Sequence, residues 1–205
     1  MNGKKKGGVL LIAAGLLCIA AALALVGYNL AEAYRAGKSA AGALTQLEQQ
    51  TPSAAPADSA GQEEPPDYIL NPDMEMPVAT IDGNAYIGIL QLPSLDLELP
   101  ILSEWSYPQL KIAPCRYSGS AYAGNFTIAG HNYSTHFGPI GDLAAGDPVV
   151  FTDVEGRCFS YEVQTVETLE ATAIEEMVSS EWDLTLFTCT SSGQARVTVR
   201  CLRAD

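Results

Sequence analysis

An all-β sandwich or barrel carried behind a membrane anchor is the architecture this sequence predicts, and three observations predict it. An apolar run opens the chain, a stretch rich in Pro, Ala, Ser and Glu follows, and from about residue 78 short apolar segments alternate with Gly, Pro, Asp and Asn.

The apolar run comes first. Residues 9–26 are Val, Leu, Ile, Ala and Gly with one cysteine, Cys18, and no charge. That is about the length a helix needs to cross a bilayer. Lys4, Lys5 and Lys6 precede it and favour a cytoplasmic N-terminus, although Arg35 and Lys38 beyond the span weaken the asymmetry. Ala22-Leu23-Ala24 raises a competing reading, a cleaved signal peptide. The run exceeds the usual signal core, and its helical pattern continues past Asn29, which suits an uncleaved anchor. The chain then divides into a basic tail at 1–8, an anchor at 9–27, a helical stalk and spacer at 28–77 and a globular domain at 78–205. Residues 28–50 are Ala, Leu, Glu and Gln with few breakers, a helix pattern. Residues 51–66 have little to bury and read as a tether.

Strands are expected at 86–92, 95–100, 125–129, 148–152, 158–168, 183–188 and 196–202, with short helices at 106–113 and 172–179. Asp153-Val-Glu-Gly156 supplies the turn of a hairpin spanning 149–166. The formal net charge of −13 is carried mainly by the part beyond the span, which argues against nucleic acid as a partner. Of five cysteines, Cys18 lies in the span, and Cys115, Cys158 and Cys201 suit buried thiols or one disulfide plus a spare. No Cys-x-x-Cys or Cys/His cluster has zinc spacing, and no metal or cofactor is expected.

Acyl-transfer chemistry at a cysteine needs a partner for the thiolate and a donor for the developing oxyanion. Candidates are few: the histidines are His131 and His136, and the domain's cations are Lys111, Arg116, Arg157, Arg196, Arg200 and Arg203. Thr127-Ile-Ala-Gly-His131 sets a histidine just past a strand, and Thr185-Leu-Phe-Thr-Cys189 sets a cysteine at the end of another, with Arg196 following. From about Ala85 onward these segments, in this order, resemble the sortase family. The resemblance implies a closed eight-stranded β-barrel with short helices. It implies cleavage of a C-terminal sorting signal of the Leu-Pro-x-Thr-Gly kind, with transfer to an amine on a peptidoglycan precursor or a pilin lysine. On that pattern Cys189 attacks and carries the acyl group, His131 handles the amine's proton, and Arg196 holds substrate backbone and oxyanion. Thr188, Ala129 and Phe187, beside the pair, are expected to touch substrate. The subclass stays open, because neither an aromatic Asp-Pro lid segment nor a long insert between 169 and 182 is apparent.

Taken singly, a strand-ending cysteine is an ordinary small hydrophobe, and His131 an ordinary loop residue. His136 reads as a surface loop histidine and not as half of a metal pair, and Glu175, Glu176 and Asp183 as a solvated acidic face. Two other functions fit the same residues: an extracytoplasmic cysteine peptidase that releases its acyl group to water, and a silent anchored binding module. Strand parity separates faces. Leu184, Leu186, Phe126, Ile128, Val197, Val199 and Cys201 should face the core, sending Cys189, His131, Arg196 and Arg200 outward. If the chain turns back after Cys189, Arg196 re-enters beside the thiol and Arg200 is carried away.

Overall fold

The computed structural model describes residues 3–52 and 66–204. The expected spacer at 51–66 therefore falls, but for its ends, outside the described residues.

One continuous helix, α1 (Gly3–Gln50), contains the apolar run. It is long and apolar enough to cross a membrane, and its apolar window is unburied. The chain forms two compact units, Met1–Arg35 and Ala36–Asp205. The last third of α1, from Ala36, thus belongs with the barrel, which the sequence did not suggest. Its buried positions are Ala36, Ala40, Ala43 and Leu47, one stripe at helical spacing. Ala40, Ala43 and Leu47 share an apolar cluster with Ile81, Tyr86, Ile89 and Leu102. A short helix, α2 (Asp67–Leu70), follows, and Tyr68 stacks on Tyr122 at 4.8 Å.

The strands are β1 (Ala79–Ile81), β2 (Asn84–Leu92), β3 (Leu97–Leu102), β4 (Cys115–Ser118), β5 (Phe126–Ala129), β6 (Pro148–Asp153), β7 (Cys158–Glu170), β8 (Leu184–Cys189) and β9 (Ala195–Arg203). Eight of them close into a ring, β2-β3-β4-β5-β8-β9-β7-β6 and back to β2, while β1 hangs on β2 as an edge. The barrel expected from the sequence is present, with closure removing its open edges. Two short strands, β1 and β4, carry no legible alternation. The strand expected at 95–100 sits two residues later, because Pro93–Leu95 forms a 3-10 turn ended by Asp96 in the left-handed region (φ 50°). Helix α3 (Tyr107–Leu110) is capped by Ser106, whose hydroxyl accepts from the Gln109 N–H, and α4 (Ile174–Met177) lies within the second expected helix.

Alternation along β7 buries Phe159, Tyr161 and Val163 against Phe126, Phe151, Leu184 and Leu186 in the interior. The β6–β7 hairpin turns where the sequence placed it, around buried Asp153. One carboxylate oxygen accepts from the Glu155 and Arg157 N–H groups at 2.9 Å each, and the other from the Tyr122 hydroxyl at 2.6 Å.

If residues 36–50 are part of this fold, Leu47→Ala should cost about 2 kcal/mol or more of unfolding free energy, as for other buried leucines. Chemical denaturation of the full chain checks it; a cost under about 0.5 kcal/mol, usual for surface positions, would mean the stalk is independent of the barrel.

Candidate active site

The local geometry follows from two strand registers. β5 and β8 run parallel, pairing Phe126 with Leu184 and Ala129 with Phe187. The pairing continues past the strand end: the Gly130 N–H donates to the Phe187 carbonyl at 3.0 Å, and the Thr188 hydroxyl to the Gly130 carbonyl at 2.8 Å. The next residues in step are His131 and Cys189. On its other side β8 runs antiparallel to β9, and Cys189 is the register partner of Arg196. His131, just past the end of β5, Cys189 at the end of β8 and Arg196 near the start of β9 therefore fall in one row at the rim of the barrel.

Parity sets their common side. Leu184, Leu186, Phe126, Ile128, Val199 and Cys201 belong to the interior cluster, whereas Phe187 and Ala129 belong to the cluster on the opposite face. Cys189 is half-buried. Gly130 leaves room for the loop to fold back, since a Cβ there would stand 2.5 Å from the Phe137 ring. The turn after Cys189 is tight, with Thr190 N–H donating to Ala195 O at 2.9 Å and Gly193 in the left-handed region. Arg196 donates to the carbonyls of Gly193 (3.2 Å) and Ala195 (3.1 Å). By contrast Arg116, Arg157 and Arg200 have carboxylate partners, and Arg203 lies over the Phe159 and Tyr161 rings.

Several expected residues sit differently from what the sequence suggested. Arg200 shares the outward parity of Arg196 but is only 2% exposed, covered by α4. It donates to Glu167 Oε1 at 2.8 Å, Thr185 Oγ1 at 3.1 Å and the Glu176 carbonyl at 2.8 Å. Its register partner on β8 is Thr185, four residues before Cys189, roughly 13 Å along the strand. Thr198 is buried as well, so the outward face is roofed except at the row itself. Thr188 has the parity of the interior residues, and its hydroxyl is engaged by Gly130. Ala129 and Phe187 keep the outward parity, at 2% and 8% exposure. Phe187 meets Tyr117 edge-on at 5.2 Å, and Tyr117 meets Trp105 at 5.6 Å, an aromatic strip the sequence did not reveal. Trp105 and Tyr117 in turn line a cavity of about 590 Å³ with Met74, Arg116 and Asn125. Asp183 is half-buried and accepts from the Arg203 N–H at 2.7 Å.

The described cysteines are all free thiols. Burial pushes the Cys115 and Cys201 thiols up to about 12, which leaves them inert at neutral pH. His136 is the largest correction: it is fully buried. Neither ring nitrogen meets a hydrogen-bond partner, and although the nearby Ala36 backbone favours the charged form, burial holds the imidazole down at about 4.

The comparisons with known proteins agree with this architecture. The Sortase domain family matches residues 90–204, more than half of the chain. The protein belongs to the sortase family. Sortase A of Bacillus anthracis is 30% identical over 138 residues, a match covering 60% of this chain and 61% of that relative's length. The fold is shared with sortase C1 of Streptococcus agalactiae (TM-score 0.54, 22% identity, 62% of this chain and 71% of that one). It is also shared with a Clostridium perfringens sortase C solved with a C-terminal cell wall sorting motif (TM-score 0.53, 22% identity, 68% and 82%).

His136 makes a pH prediction. Its folded-state value lies below the ordinary 6.5, so between those values the unfolded chain binds the proton more readily. Stability from this group is full above about 6.5 and is lost as pH falls towards 4. His136→Phe should therefore flatten the loss of stability across that window in denaturation curves taken at several pH values; curves that keep the wild-type slope would contradict the assignment.

Proposed function

We propose that the chain is a membrane-anchored cysteine transpeptidase acting on sorting signals of the Leu-Pro-x-Thr-Gly kind, with the Cys189 thiolate as nucleophile. The row His131–Cys189–Arg196 is the observation that carries the reading. Thiolate sulfur attacks the threonine carbonyl carbon, and the electron pair moves onto oxygen. Arg196 then donates N–H to that oxyanion or to the adjacent substrate backbone; a guanidinium stays protonated and serves as donor, not base. On collapse the C–N bond breaks, His131 protonates the leaving amine, and a thioester remains on Cys189. An incoming amine reverses the sequence, giving its proton to His131 as it attacks the thioester. A new amide forms and the thiolate is restored.

The supporting geometry extends to the neighbours. Tyr117 and Trp105 offer a surface for an apolar stretch of peptide, supported from beneath by the buried Phe187 and Ala129. Thr188 keeps the His131 loop in step with Cys189 and does not itself reach substrate. The acceptor is an amine of a peptidoglycan precursor or a pilin lysine, and the substrate a protein with a C-terminal sorting signal. The apolar half of α1 serves as a single-pass anchor, N-terminus cytoplasmic and barrel outside.

Three substitutions test this with a fluorogenic Leu-Pro-Glu-Thr-Gly peptide and an added oligoglycine amine. Cys189→Ala should abolish both cleavage and ligation while the barrel still melts cooperatively. Arg196→Ala should lose about a hundred- to a thousandfold in turnover, as for other oxyanion donors. Arg200→Ala should act on stability, lowering the melting temperature while the folded fraction turns over near the wild-type rate. Ligation by the Cys189 variant, or a greater turnover loss from Arg200→Ala than from Arg196→Ala, would refute the assignment. Product released equally with and without amine would favour the hydrolytic reading.

A further inference from the structure

His131 does not stand alone on its loop. Its ring stacks on Tyr133 with centroids 4.7 Å apart and planes at 28°, and Tyr133 tilts against His136 at 5.6 Å and 55°. The loop backbone is tied into one turn. The Phe137 N–H donates to the His131 carbonyl at 3.0 Å, and the His136 and Gly138 N–H groups both donate to the Tyr133 carbonyl at 2.9 Å. Residues 131–138 are thus linked by both backbone hydrogen bonds and ring contacts.

What lies behind His136 is the helix. Ala36 is 2% exposed and its backbone acts on the His136 ring. One residue on, Gly37 approaches so closely that a Cβ would stand 3.0 Å from the Cβ, Cγ2 and Oγ1 atoms of Thr135. Simple space-filling explains Gly37, where the close approach excludes the better helix-former alanine, but not His136: a buried ring with two unpaired nitrogens is less favourable than a phenyl ring of similar shape.

We propose that Tyr133 and His136 are positioning residues, and that the helix at 36–50 braces them so that the His131 imidazole is held towards Cys189. The inference rests on the roles given above to His131 and Cys189. An acid–base group must sit within hydrogen-bond reach of its proton, and a misplacement of about 1 Å can cost about a hundredfold. The seat of the anchor-bearing helix on the barrel and the readiness of the site become one property. Tyr133 and His136 touch no substrate in this scheme; they act through His131.

The test uses the full chain in detergent micelles and reads the rate at which iodoacetamide alkylates Cys189, located by peptide mass mapping. At neutral pH His131→Ala should slow alkylation about tenfold or more, because the thiolate loses its partner. Gly37→Leu, Tyr133→Ala and His136→Ala should each slow it at least about threefold, whereas Tyr133→Phe and His136→Phe, which keep the rings, should stay within about twofold of wild type. At a pH high enough to ionise the thiol unaided, all rates should converge, which a general loss of structure would not produce. Tyr133 is only half-buried, so its alanine variant decides the matter should Gly37→Leu fail to fold. Slowing by His131→Ala without slowing by Tyr133→Ala or Gly37→Leu would overturn the brace alone. No effect of His131→Ala would overturn the pairing of His131 with Cys189 and the brace with it.

Discussion

The double pairing of β8 is the constraint on which the rest of the structure depends. β8 lies between β5 on one side and β9 on the other, so the position of Cys189 is fixed twice by backbone hydrogen bonds. Strand register is discrete: a slip of one residue would turn Leu184 and Leu186 out of the core and Thr185 and Phe187 into it. The core therefore enforces the row at the rim. A side chain placed by register inherits the stability of the whole barrel, whereas one placed by a free loop would have to be ordered at its own entropic cost.

The outward face of the same strands is organised by polar burial. Arg200, held by Glu167, Thr185 and the carbonyls of α4, roofs the middle of β8 and β9. Removing one partner of such a buried cluster leaves the others unsatisfied, so its contribution is to shape more than to chemistry. With that roof in place, the open part of the face is the end of β8 where Cys189 emerges. Asp153 fixes the β6–β7 turn by the same logic on another side of the ring.

Much of this was legible in the residues. Parity alone separated inner from outer positions on β5, β8 and β9, because a strand half-buried on one face repeats with period two. The tight turn after Cys189 brought Arg196 back beside it and carried Arg200 away. What escaped was tertiary. β1 and β4 are too short for alternation to show, and a turn at Pro93–Leu95 moved β3. Outward parity does not mean exposure at Arg200, which α4 covers. His136 looked like a surface residue because nothing local announces that a helix distant in sequence lies on it. The stripe Ala36, Ala40, Ala43, Leu47 was the available signal, but small residues contribute little to an apolar pattern and the stretch read as a free stalk.

The proposed chemistry requires a covalent bond to one sulfur. Incubating the full chain with a Leu-Pro-Glu-Thr-Gly peptide without added amine, quenching in acid and mapping peptides by mass spectrometry reads that bond directly. The prediction is an adduct on the peptide containing Cys189, with the mass of the substrate fragment ending in threonine, which disappears when an amine is supplied. An adduct on Cys158 or another cysteine, or steady product formation with no adduct on Cys189, would contradict it.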